Sequence, residues 1–402
     1  MPEQTIAKAD GGAERSVPSY DVDLYSDAVL ADPYPHYRAL RDLGPVVWLP
    51  RNGMFAMARY HDIREALRDY RLFSSADGVG GSETTNKGSK GTMIASDPPD
   101  HAAIRQIVGA PMLPGALATI RPRVEELAVQ LVERLVAQKT FDAVADLAQF
   151  LPLNVVSEMV GLPEDGRANM LKWAAATFDI LGGENERYAA AMPSIQEMRH
   201  YTAHAATRER VKPGSWIARL YDASDRGAFP EARCPVLMRD YLAPSLDTTI
   251  FALANAVWLF ARFPEQWDRV CADPALIPAA LNEAIRLESP IRGFTRRLTQ
   301  PFTIDGQTVP EGARVALFYA SGNRDERKWD NPEAFDVTRK VSDHLGYGHG
   351  IHTCAGMHLA RLEIHSVLAV LAARVRRFEI VEAVPEFNNV LRGFKTLHVT
   401  VQ

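Results

Sequence analysis

The sequence predicts a mainly α-helical protein with a small β subdomain. Stretches of helix length, in which apolar residues recur at helical spacing, fill its middle at residues 116–138, 144–160, 167–181 and 189–210. Short β-prone runs flank them at residues 46–50, 54–59, 302–309 and 315–320. With 402 residues, 47% of them hydrophobic, the chain is long enough to bury a large core around these elements.

The remaining elements have local signals of their own. Pro33 in the first turn and Gly44 at the end are typical of the two limits of a helix, and a second helix is predicted at residues 61–69. Residues 74–91 are rich in Gly, Ser, Thr and Lys and are predicted to be either disordered or a functional loop. One long helix is predicted at residues 235–263.

Composition and charge restrict the classes of function. The net charge of −5 argues against nucleic acid as a partner, because phosphate contacts need a concentrated basic surface. Three cysteines are too few for a disulfide framework or a four-cysteine iron–sulfur cluster, which fits a reducing cytoplasm. Residues 1–17 lack the apolar core of a signal peptide, and the longest apolar stretch, residues 250–261, is too short to span a membrane. We therefore expect a soluble cytoplasmic protein with a loose segment at residues 1–17 and a single domain over residues 18–402.

A glycine-rich loop that ends at Cys354 is the most informative stretch. Gly346, Gly348 and Gly350 permit positive φ angles and a close approach of the backbone to a bulky, flat group. Apolar residues then recur at helical spacing, so Cys354 lies at a helix N-terminus, where unpaired N–H groups favour an anion. We expect this position to lower the thiol pKa and to favour the thiolate, which is the form that binds metals.

Three interpretations of the loop follow from its residues. In the first, Cys354 is an inert thiol in a glycine-rich turn. In the second, His349, His352 and Cys354 bind zinc, although the chain has no Cys-x-x-Cys pair to support this. In the third, Cys354 is the axial thiolate ligand of a haem, a ligand that favours O–O cleavage.

The run from Tyr347 to Gly356 resembles the haem-binding signature of the cytochrome P450 family, Phe-Gly-x-Gly-x-His-x-Cys-x-Gly. Its one departure is Tyr347 in place of Phe, which keeps an aromatic ring. The resemblance extends over nearly the whole chain. It implies the cytochrome P450 fold and a heme b (haem b) cofactor whose iron is bound by the Cys354 thiolate.

The resemblance also implies which residues hold the haem. His101 and Arg105 are four residues apart and therefore share a helix face, a spacing that alone is typical of a solvated surface. The family, however, uses the equivalent helix to bind a haem propionate. Arg296 and His352 likewise lie where the family places propionate-binding residues.

Residues 240–249 resemble the oxygen-activation motif of the same family, in which an acid precedes an alcohol. Reduction of dioxygen in a buried pocket requires a supply of protons. The resemblance assigns the collection of these protons to Asp247 and the binding of a hydrogen-bonded water or peroxide to Thr248. The sequence departs from the family at Pro244 and Ser245, and Pro244 is predicted to kink the long helix because it lacks an N–H.

The residues expected to contact the substrate are Asp240, Ala243, Phe178, Phe294 and Leu391. Asp240 is predicted to share a helix face with Thr248. Its carboxylate is expected either to bond a phenol or amine of the substrate or to be neutralised by Lys87 or Lys90. The C-terminal third resembles bacterial members that act on para-substituted aromatic acids such as methoxybenzoates, and neutral phenolics, amines and terpenoids are alternatives.

Glu283 and Arg286 form a Glu-x-x-Arg pattern on one helix face, a spacing that suits a buried charged pair. Together with residues 323–339, which follow at the distance typical of the family, the pattern resembles a structural triad completed by Arg339. The expected role of this triad is to fix the loop before the cysteine.

These resemblances imply a haem-dependent monooxygenase that inserts one atom of O2 into a small, aromatic substrate by hydroxylation or O-dealkylation. Electrons are expected from a ferredoxin and its reductase, because no flavin or nicotinamide fingerprint is present. The ferredoxin is expected to dock on the cysteine side of a monomer, where basic residues are available at Arg64, Arg68, Lys340 and Arg361. A peroxide-driven peroxygenase and a non-catalytic haem sensor are the alternatives.

Overall fold

The computed structural model describes residues 16–242 and 244–402 and confirms the mainly helical class. The helices are α1 Asp27–Ala31, α2 Tyr34–Leu43, α3 Tyr60–Arg68, α4 Glu83–Ser89, α5 Asp100–Val108, α6 Pro114–Leu117, α7 Arg121–Gln138, α8 Ser157–Val160, α9 Glu164–Arg167, α10 Met170–Ile180, α11 Glu186–His204, α12 Trp216–Asp225, α13 Cys234–Leu242, α14 Asp247–Arg262, α15 Pro264–Ala272, α16 Ile277–Leu287, α17 Tyr319–Gly322 and α18 Met357–Arg374. The strands are β1 Val47–Leu49, β2 Met54–Met57, β3 Phe73–Ser74, β4 Thr140–Asp142, β5 Phe294–Leu298, β6 Phe302–Ile304, β7 Gln307–Val309, β8 Arg314–Leu317, β9 Phe378–Pro385 and β10 Phe394–Val401.

The β structure consists of two small sheets and a hairpin. One sheet has the order β1-β2-β8-β5-β3, in which β2 and β8 are parallel and the other neighbours are antiparallel. The other has the order β4-β10-β9, and β6 pairs with β7. The β-prone runs at residues 46–50 and 54–59 therefore form one hairpin and the run at residues 302–309 forms another. Asn52 and Gly53 lie in the turn of the first, where Gly53 has a φ of 61°.

Helix α14 is the central element of the core. Most of its side chains are buried, and it packs against α16, α18 and the strands β9 and β10. Helix α18, which follows Cys354, packs against α7 and α16 on another side of the core. A central helix that is apolar on nearly all faces is expected at such a position.

Two stretches, Ala143–Val160 and Glu231–Arg262, pass a test of length and composition for a membrane-crossing helix, although the second is interrupted between α13 and α14. More than half of the first and about three quarters of the second are buried inside the protein. Such burial is typical of the core helices of a folded domain, which pass the same test of length and composition.

The prediction of one long helix at residues 235–263 is wrong. The structure has two helices, because α13 ends at Leu242 and α14 begins at Asp247. Pro244 lies between them, and a proline can neither donate to the carbonyl four residues earlier nor fit its ring against that carbonyl. The effect of Pro244 is therefore a break rather than the predicted kink.

Two other predicted elements differ in detail. Residues 74–91 fold around the short helix α4, whose N-cap Ser82 accepts a hydrogen bond from the Thr85 N–H. The helix predicted at residues 144–160 contains π-helical turns at Ala143–Ala148 and Pro152–Val156 before α8. The predicted loose segment at residues 1–17 falls almost entirely outside the described residues.

The predicted triad is confirmed. The Arg286 guanidinium forms a bidentate pair with Glu283 at 2.7 and 2.8 Å, and both side chains are fully buried. Arg339 donates to the same carboxylate at 3.1 Å. Arg286 also donates to the carbonyls of Asn323 and Pro332, at 2.8 Å each, so the triad ties helix α16 to the segment that leads to the cysteine loop.

Replacing Glu283 with Gln should lower the free energy of unfolding of the haem-loaded protein by about 3 to 5 kcal/mol, because it leaves a buried guanidinium without its counter-charge. The measurement is the urea midpoint and slope followed by circular dichroism. The control is Glu125→Gln, which removes an exposed pair with Arg121 and should cost about 0.5 kcal/mol or less. Equal losses in the two variants would contradict the role of the triad.

Candidate active site

The loop before Cys354 is shaped by close contacts. Gly348 and Gly350 have φ angles of 67° and 70°, as the sequence predicted. A Cβ on Gly350 would lie 2.3 Å from the Leu67 carbonyl oxygen in α3, and one on Gly346 would lie 2.3 Å from the Ile285 side chain in α16. The loop is therefore packed between two helices at distances that only glycine allows.

Cys354 ends the loop with an accessible thiol. Its N–H donates to the Tyr347 carbonyl at 2.8 Å, and its side chain is exposed. The prediction of a lowered thiol pKa is wrong for the protein without a bound metal. Desolvation by the surrounding protein raises the pKa of the Cys354 thiol, although the N–H groups of Gly356 and Met357 and the Arg105 guanidinium act in the opposite direction. Binding to a metal would itself supply the charge that deprotonates a thiol.

The zinc interpretation has no geometric support. Over residues 16–242 and 244–402, no three His, Cys, Asp or Glu side chains are close enough together to hold a metal ion. His349, His352 and Cys354 therefore do not form a tetrahedral site, which would require four protein ligands for a structural zinc.

Four predicted haem-binding residues lie together beside the cysteine. The imidazole rings of His101 and His352 are 4.3 Å apart between centroids, and Arg105 donates to the Thr353 carbonyl next to Cys354. Arg296, which is 4% exposed, acts on His352 electrostatically. The structure thus brings together side chains from α5, β5 and the cysteine loop.

This cluster has an excess of positive charge and unused hydrogen-bonding capacity. Burial, followed by the charge of Arg296, lowers the pKa of His352 to about 2, and burial and Arg105 lower the pKa of His101. The Nε2 atoms of both histidines are buried and have no hydrogen-bond partner among the described residues. An anionic group such as a carboxylate would satisfy these atoms and offset the guanidinium charges.

Two hydroxyl groups compensate for the break between α13 and α14 by donating to carbonyls there. Ser245 donates to the Tyr241 carbonyl, and the Thr248 hydroxyl donates to the Pro244 carbonyl at 3.1 Å. These carbonyls lie where the helical N–H pattern is interrupted, so the side chains supply the missing donors. The Thr248 oxygen keeps its lone pairs available to accept a further hydrogen bond.

Asp247 occupies the first turn of α14 and is only 7% exposed. Its Oδ2 atom is buried and has no partner among the residues that the structure describes. Burial, with smaller contributions from Glu386 and Asp179, raises the pKa of its carboxyl to about 7. At neutral pH both the protonated and the ionised forms of this carboxyl are therefore populated.

Comparison with known proteins decides the family. The chain is 36% identical over 388 residues to cytochrome p450 CYP199A2 of Rhodopseudomonas palustris, an alignment that covers 95% of this chain and 94% of that protein. This chain belongs to the cytochrome P450 family. The family model described as Cytochrome P450 matches residues 268–389.

Other cytochromes P450 give the same result. Linalool 8-monooxygenase of Pseudomonas putida is 31% identical over 403 residues, which covers 94% of this chain and 97% of that protein. The solved structure of CYP109Q5 from Chondromyces apiculatus has a TM-score of 0.81 at 28% identity, over 95% of this chain and 98% of that one. These similarities confirm the predicted cytochrome P450 fold.

Membership in the cytochrome P450 family implies a haem whose iron is bound by a cysteine thiolate and an oxidoreductase of the monooxygenase type. Cys354 is the cysteine of the signature loop, and its exposed thiol is suited to this ligation. The positive cluster with its unpartnered histidine nitrogens fits a group that carries carboxylates. The residues of this cytochrome P450 therefore fit the cofactor.

Asp240 has a different environment from the one predicted. Its Oδ2 accepts a hydrogen bond from the Met93 N–H at 2.8 Å, and burial raises the pKa of its carboxyl to about 7. Lys90 instead faces Asp77 at 3.7 Å, so the predicted neutralisation by this lysine is wrong. Lys87 forms no ion pair with Asp240 within the described ranges. The partner of the Asp240 carboxylate is instead a backbone N–H, and no charge pattern in the sequence could have indicated this partner.

The other predicted substrate residues are dispersed over several elements. Phe178 in α10 and Leu391 are each 3% exposed, and Asn388 links their elements by donating to the Ala175 carbonyl at 3.2 Å. Phe294 opens β5 and packs edge-to-face against Tyr319. Ala243 lies outside the described residues.

Sequence reasoning missed two residues that act on Asp247. Asp179 lies at the end of α10 and Glu386 follows β9, and both act on the Asp247 carboxyl. They are separated from it by 68 and 139 positions in the chain. Only the tertiary structure brings Asp179 and Glu386 near enough for their charges to raise the pKa of Asp247, and no local pattern could have identified them.

Replacing Asp247 with Asn should stabilise the protein more at high pH than at low pH. The folded-state pKa of about 7 lies above the ordinary value of about 3.9, so the stability provided by the neutral carboxyl is lost as the pH rises toward and through 7. We expect a gain in the free energy of unfolding on the order of 2 to 4 kcal/mol at about pH 8, and about half of that or less at about pH 5. Denaturant titrations at the two pH values measure it.

The control is Asp222→Asn, which changes an exposed aspartate on α12 and should leave the difference between the two pH values as in the unmodified protein. A pH-independent effect of Asp247→Asn would contradict the raised pKa.

Proposed function

We propose that this cytochrome P450 inserts one atom of O2 into a small, aromatic organic substrate by hydroxylation or O-dealkylation, using electrons from a ferredoxin and its reductase. One observation carries the proposal: an accessible signature cysteine, beside an unneutralised positive cluster, occurs in the same fold as an acid–alcohol pair at a helix break. A haem sensor would need the cysteine and the positive cluster but not the acid–alcohol pair. The acid–alcohol pair also favours O2 over peroxide as the oxidant, because only O2 chemistry needs protons to be delivered.

Five residues would hold the haem. Cys354 would bind the iron through its thiolate, and His101, Arg105, Arg296 and His352 would bind the propionates by charge and hydrogen bonding. Their support is the cluster geometry and the two Nε2 atoms without partners. The chemistry that bound haem supplies is the reductive activation of dioxygen and the transfer of one oxygen atom to the substrate.

Asp247 and Thr248 would be the catalytic residues that move protons. The Thr248 hydroxyl donates to the Pro244 carbonyl, which fixes its orientation and leaves its lone pairs to accept from a water in the pocket. The buried Asp247 carboxyl, with a pKa of about 7, can hold a proton and release it at neutral pH. Consecutive side chains of a helix do not face each other, so the proton would pass from the acid through water in the pocket to the water that the alcohol holds.

The substrate would be held by an apolar and aromatic wall with one acidic residue. Phe178, Phe294 and Leu391 would provide the apolar surface that an aromatic ring requires. The sequence-based assignment of Ala243 to the same wall stays a prediction. Asp240 would contact a phenol or amine of the substrate through the part of its carboxylate that Met93 does not occupy. A neutral or basic aromatic compound fits this acid better than a benzoate does, because two carboxylates would repel each other.

The ferredoxin would dock beside the cysteine loop of a soluble, cytoplasmic monomer. Helix α3 contacts the loop at Gly350, and its Arg64 and Arg68 act electrostatically on His349 in the loop. Arg361 lies 5.0 Å from the centre of the Tyr347 ring. These cations surround the face nearest Cys354 and would attract an acidic electron carrier.

Replacing Thr248 with Ala should uncouple electron consumption from product formation, so that electrons are consumed without forming product. In the enzyme reconstituted with a ferredoxin, its reductase and a substrate found by haem spin-state titration, we expect the product formed per electron to fall about tenfold or more. Hydrogen peroxide should rise correspondingly, because reduced oxygen that is not protonated in the right place is released. Product, peroxide and electron-donor consumption are measured together.

The matched control is Thr249→Ala, which removes the same hydroxyl one residue later, on a different side of the helix. An unchanged product yield in Thr248→Ala would contradict the assigned role. If no ferredoxin supports product formation by the unmodified enzyme, although substrate shifts the spin state, the monooxygenase proposal is wrong and a sensor is favoured.

A further inference from the structure

Helix α11 ends in a pair of exposed histidines. His200 and His204 are four residues apart in the last turn of this helix, and both side chains are exposed. Side chains at this spacing are neighbours on one helix face. Neither histidine belongs to the haem, oxygen or substrate site, so the pair has no part in the chemistry described above. Its ring nitrogens are accessible from solvent.

The distance between the two rings is suited to binding one metal ion. The ring centroids of His200 and His204 are 4.7 Å apart, and the ring planes are inclined by 49°. With metal–nitrogen bonds of about 2.0 Å, two imidazoles on one ion have centroids about 4.5 Å apart at adjacent corners of a square and about 5.2 Å apart in a tetrahedron. The observed distance is closer to the square arrangement, which copper(II) and nickel(II) prefer.

The position of the pair at the end of a helix also favours a cation. His204 is the last residue of the 19-residue helix α11, and Ala205 is its C-cap. The last four carbonyls of a helix lack helical N–H donors, and the negative end of the helix dipole lies there. The backbone therefore attracts positive charge to the turn that carries both imidazoles.

Two arginines lie near this turn, and neither occupies the pair. Arg210 donates to the Ala205 carbonyl at 3.1 Å, and its charge is offset by Asp165 at 3.0 Å. Arg199 directly precedes the first histidine and is therefore turned by about 100° around the helix. Its guanidinium packs instead against Gly88 of α4. The exposed side of the pair is thus left to solvent.

One carboxylate could have completed a three-ligand site but is already paired. Glu197 lies three residues before His200 and shares its helix face. Its carboxylate forms an ion pair with Lys172 at 2.6 Å. No three His, Cys, Asp or Glu side chains are clustered in the described part of the chain. The protein therefore supplies two ligands here, which differs from a structural zinc centre with four.

We propose that His200 and His204 bind one divalent transition-metal ion through one nitrogen of each imidazole, with water at the remaining positions. The preference is for copper(II) over nickel(II) and zinc(II), which follows from the ring distance and from the usual order of affinities at nitrogen sites. The bound ion fixes the last turn of α11, a helix that packs against α10 and α13. This site is independent of the proposed monooxygenase function.

The first test is calorimetric titration of the haem-loaded protein with copper(II), nickel(II) and zinc(II). We expect one ion to bind, with copper(II) bound most tightly. His200→Ala and His204→Ala should each weaken the affinity by at least about tenfold, because a single imidazole loses the gain from simultaneous binding by two linked ligands. The double variant should bind no more tightly than either single variant.

The second test locates the ion by hydrogen exchange. At saturating nickel(II), the backbone N–H groups of residues 201–206 should exchange at least about tenfold more slowly, because the ion binds only the closed form of the last turn. This protection should be absent from both single variants. Without metal, the variants should keep the unfolding temperature and haem spectrum of the unmodified protein, since both side chains are exposed.

The matched control is His61→Ala, which removes an exposed histidine from α3 and should leave the affinity and the protection unchanged. Single variants at positions 200 and 204 that bind copper(II) as tightly as His61→Ala would overturn the inference. Tighter binding of zinc(II) than of copper(II), or metal-dependent protection that excludes residues 201–206, would overturn it as well.

Discussion

The position of Cys354 depends on the close packing of its loop between two helices, and most of the site depends on that position. Gly346 and Gly350 approach Ile285 and Leu67 so closely that no larger residue fits. The start of the loop is held by Asn323, whose side-chain oxygen accepts from the Leu345 N–H at 2.6 Å. The Asn323 carbonyl is in turn bonded by Arg286 of the buried triad. The buried pair of Glu283 and Arg286 thus helps to fix the position of the Cys354 thiol through Asn323 and the glycine-rich loop.

The helix break between α13 and α14 has a free-energy cost that the local sequence offsets. Pro244 interrupts the helical hydrogen bonds between α13 and α14 and leaves carbonyls there without helical donors. The hydroxyls of Ser245 and Thr248 bond the carbonyls of Tyr241 and Pro244. The hydrogen bond to the Pro244 carbonyl also holds the Thr248 hydroxyl in a defined orientation.

Features within a few residues of each other could be predicted from the sequence, whereas contacts between distant segments could not. The glycine loop, the helix face shared by His101 and Arg105, and the Glu283–Arg286 pair follow from local spacing and family resemblance. The Met93 N–H that bonds Asp240 could not be predicted, because backbone partners leave no mark in the sequence. The break at Pro244 was underestimated, since the cost of a proline depends on whether neighbouring side chains can replace the lost bonds.

The central claim is that Cys354 binds haem iron as a thiolate, and the absorption spectrum of the reduced, carbon monoxide-bound protein tests it most directly. We predict the spectrum of a thiolate-ligated haem for the unmodified protein and for Cys271→Ser, which changes a cysteine remote in sequence from the loop. Cys354→Ser should lose that spectrum. The spectrum of a histidine-ligated haem, or a protein without pigment, in the unmodified chain would contradict the account.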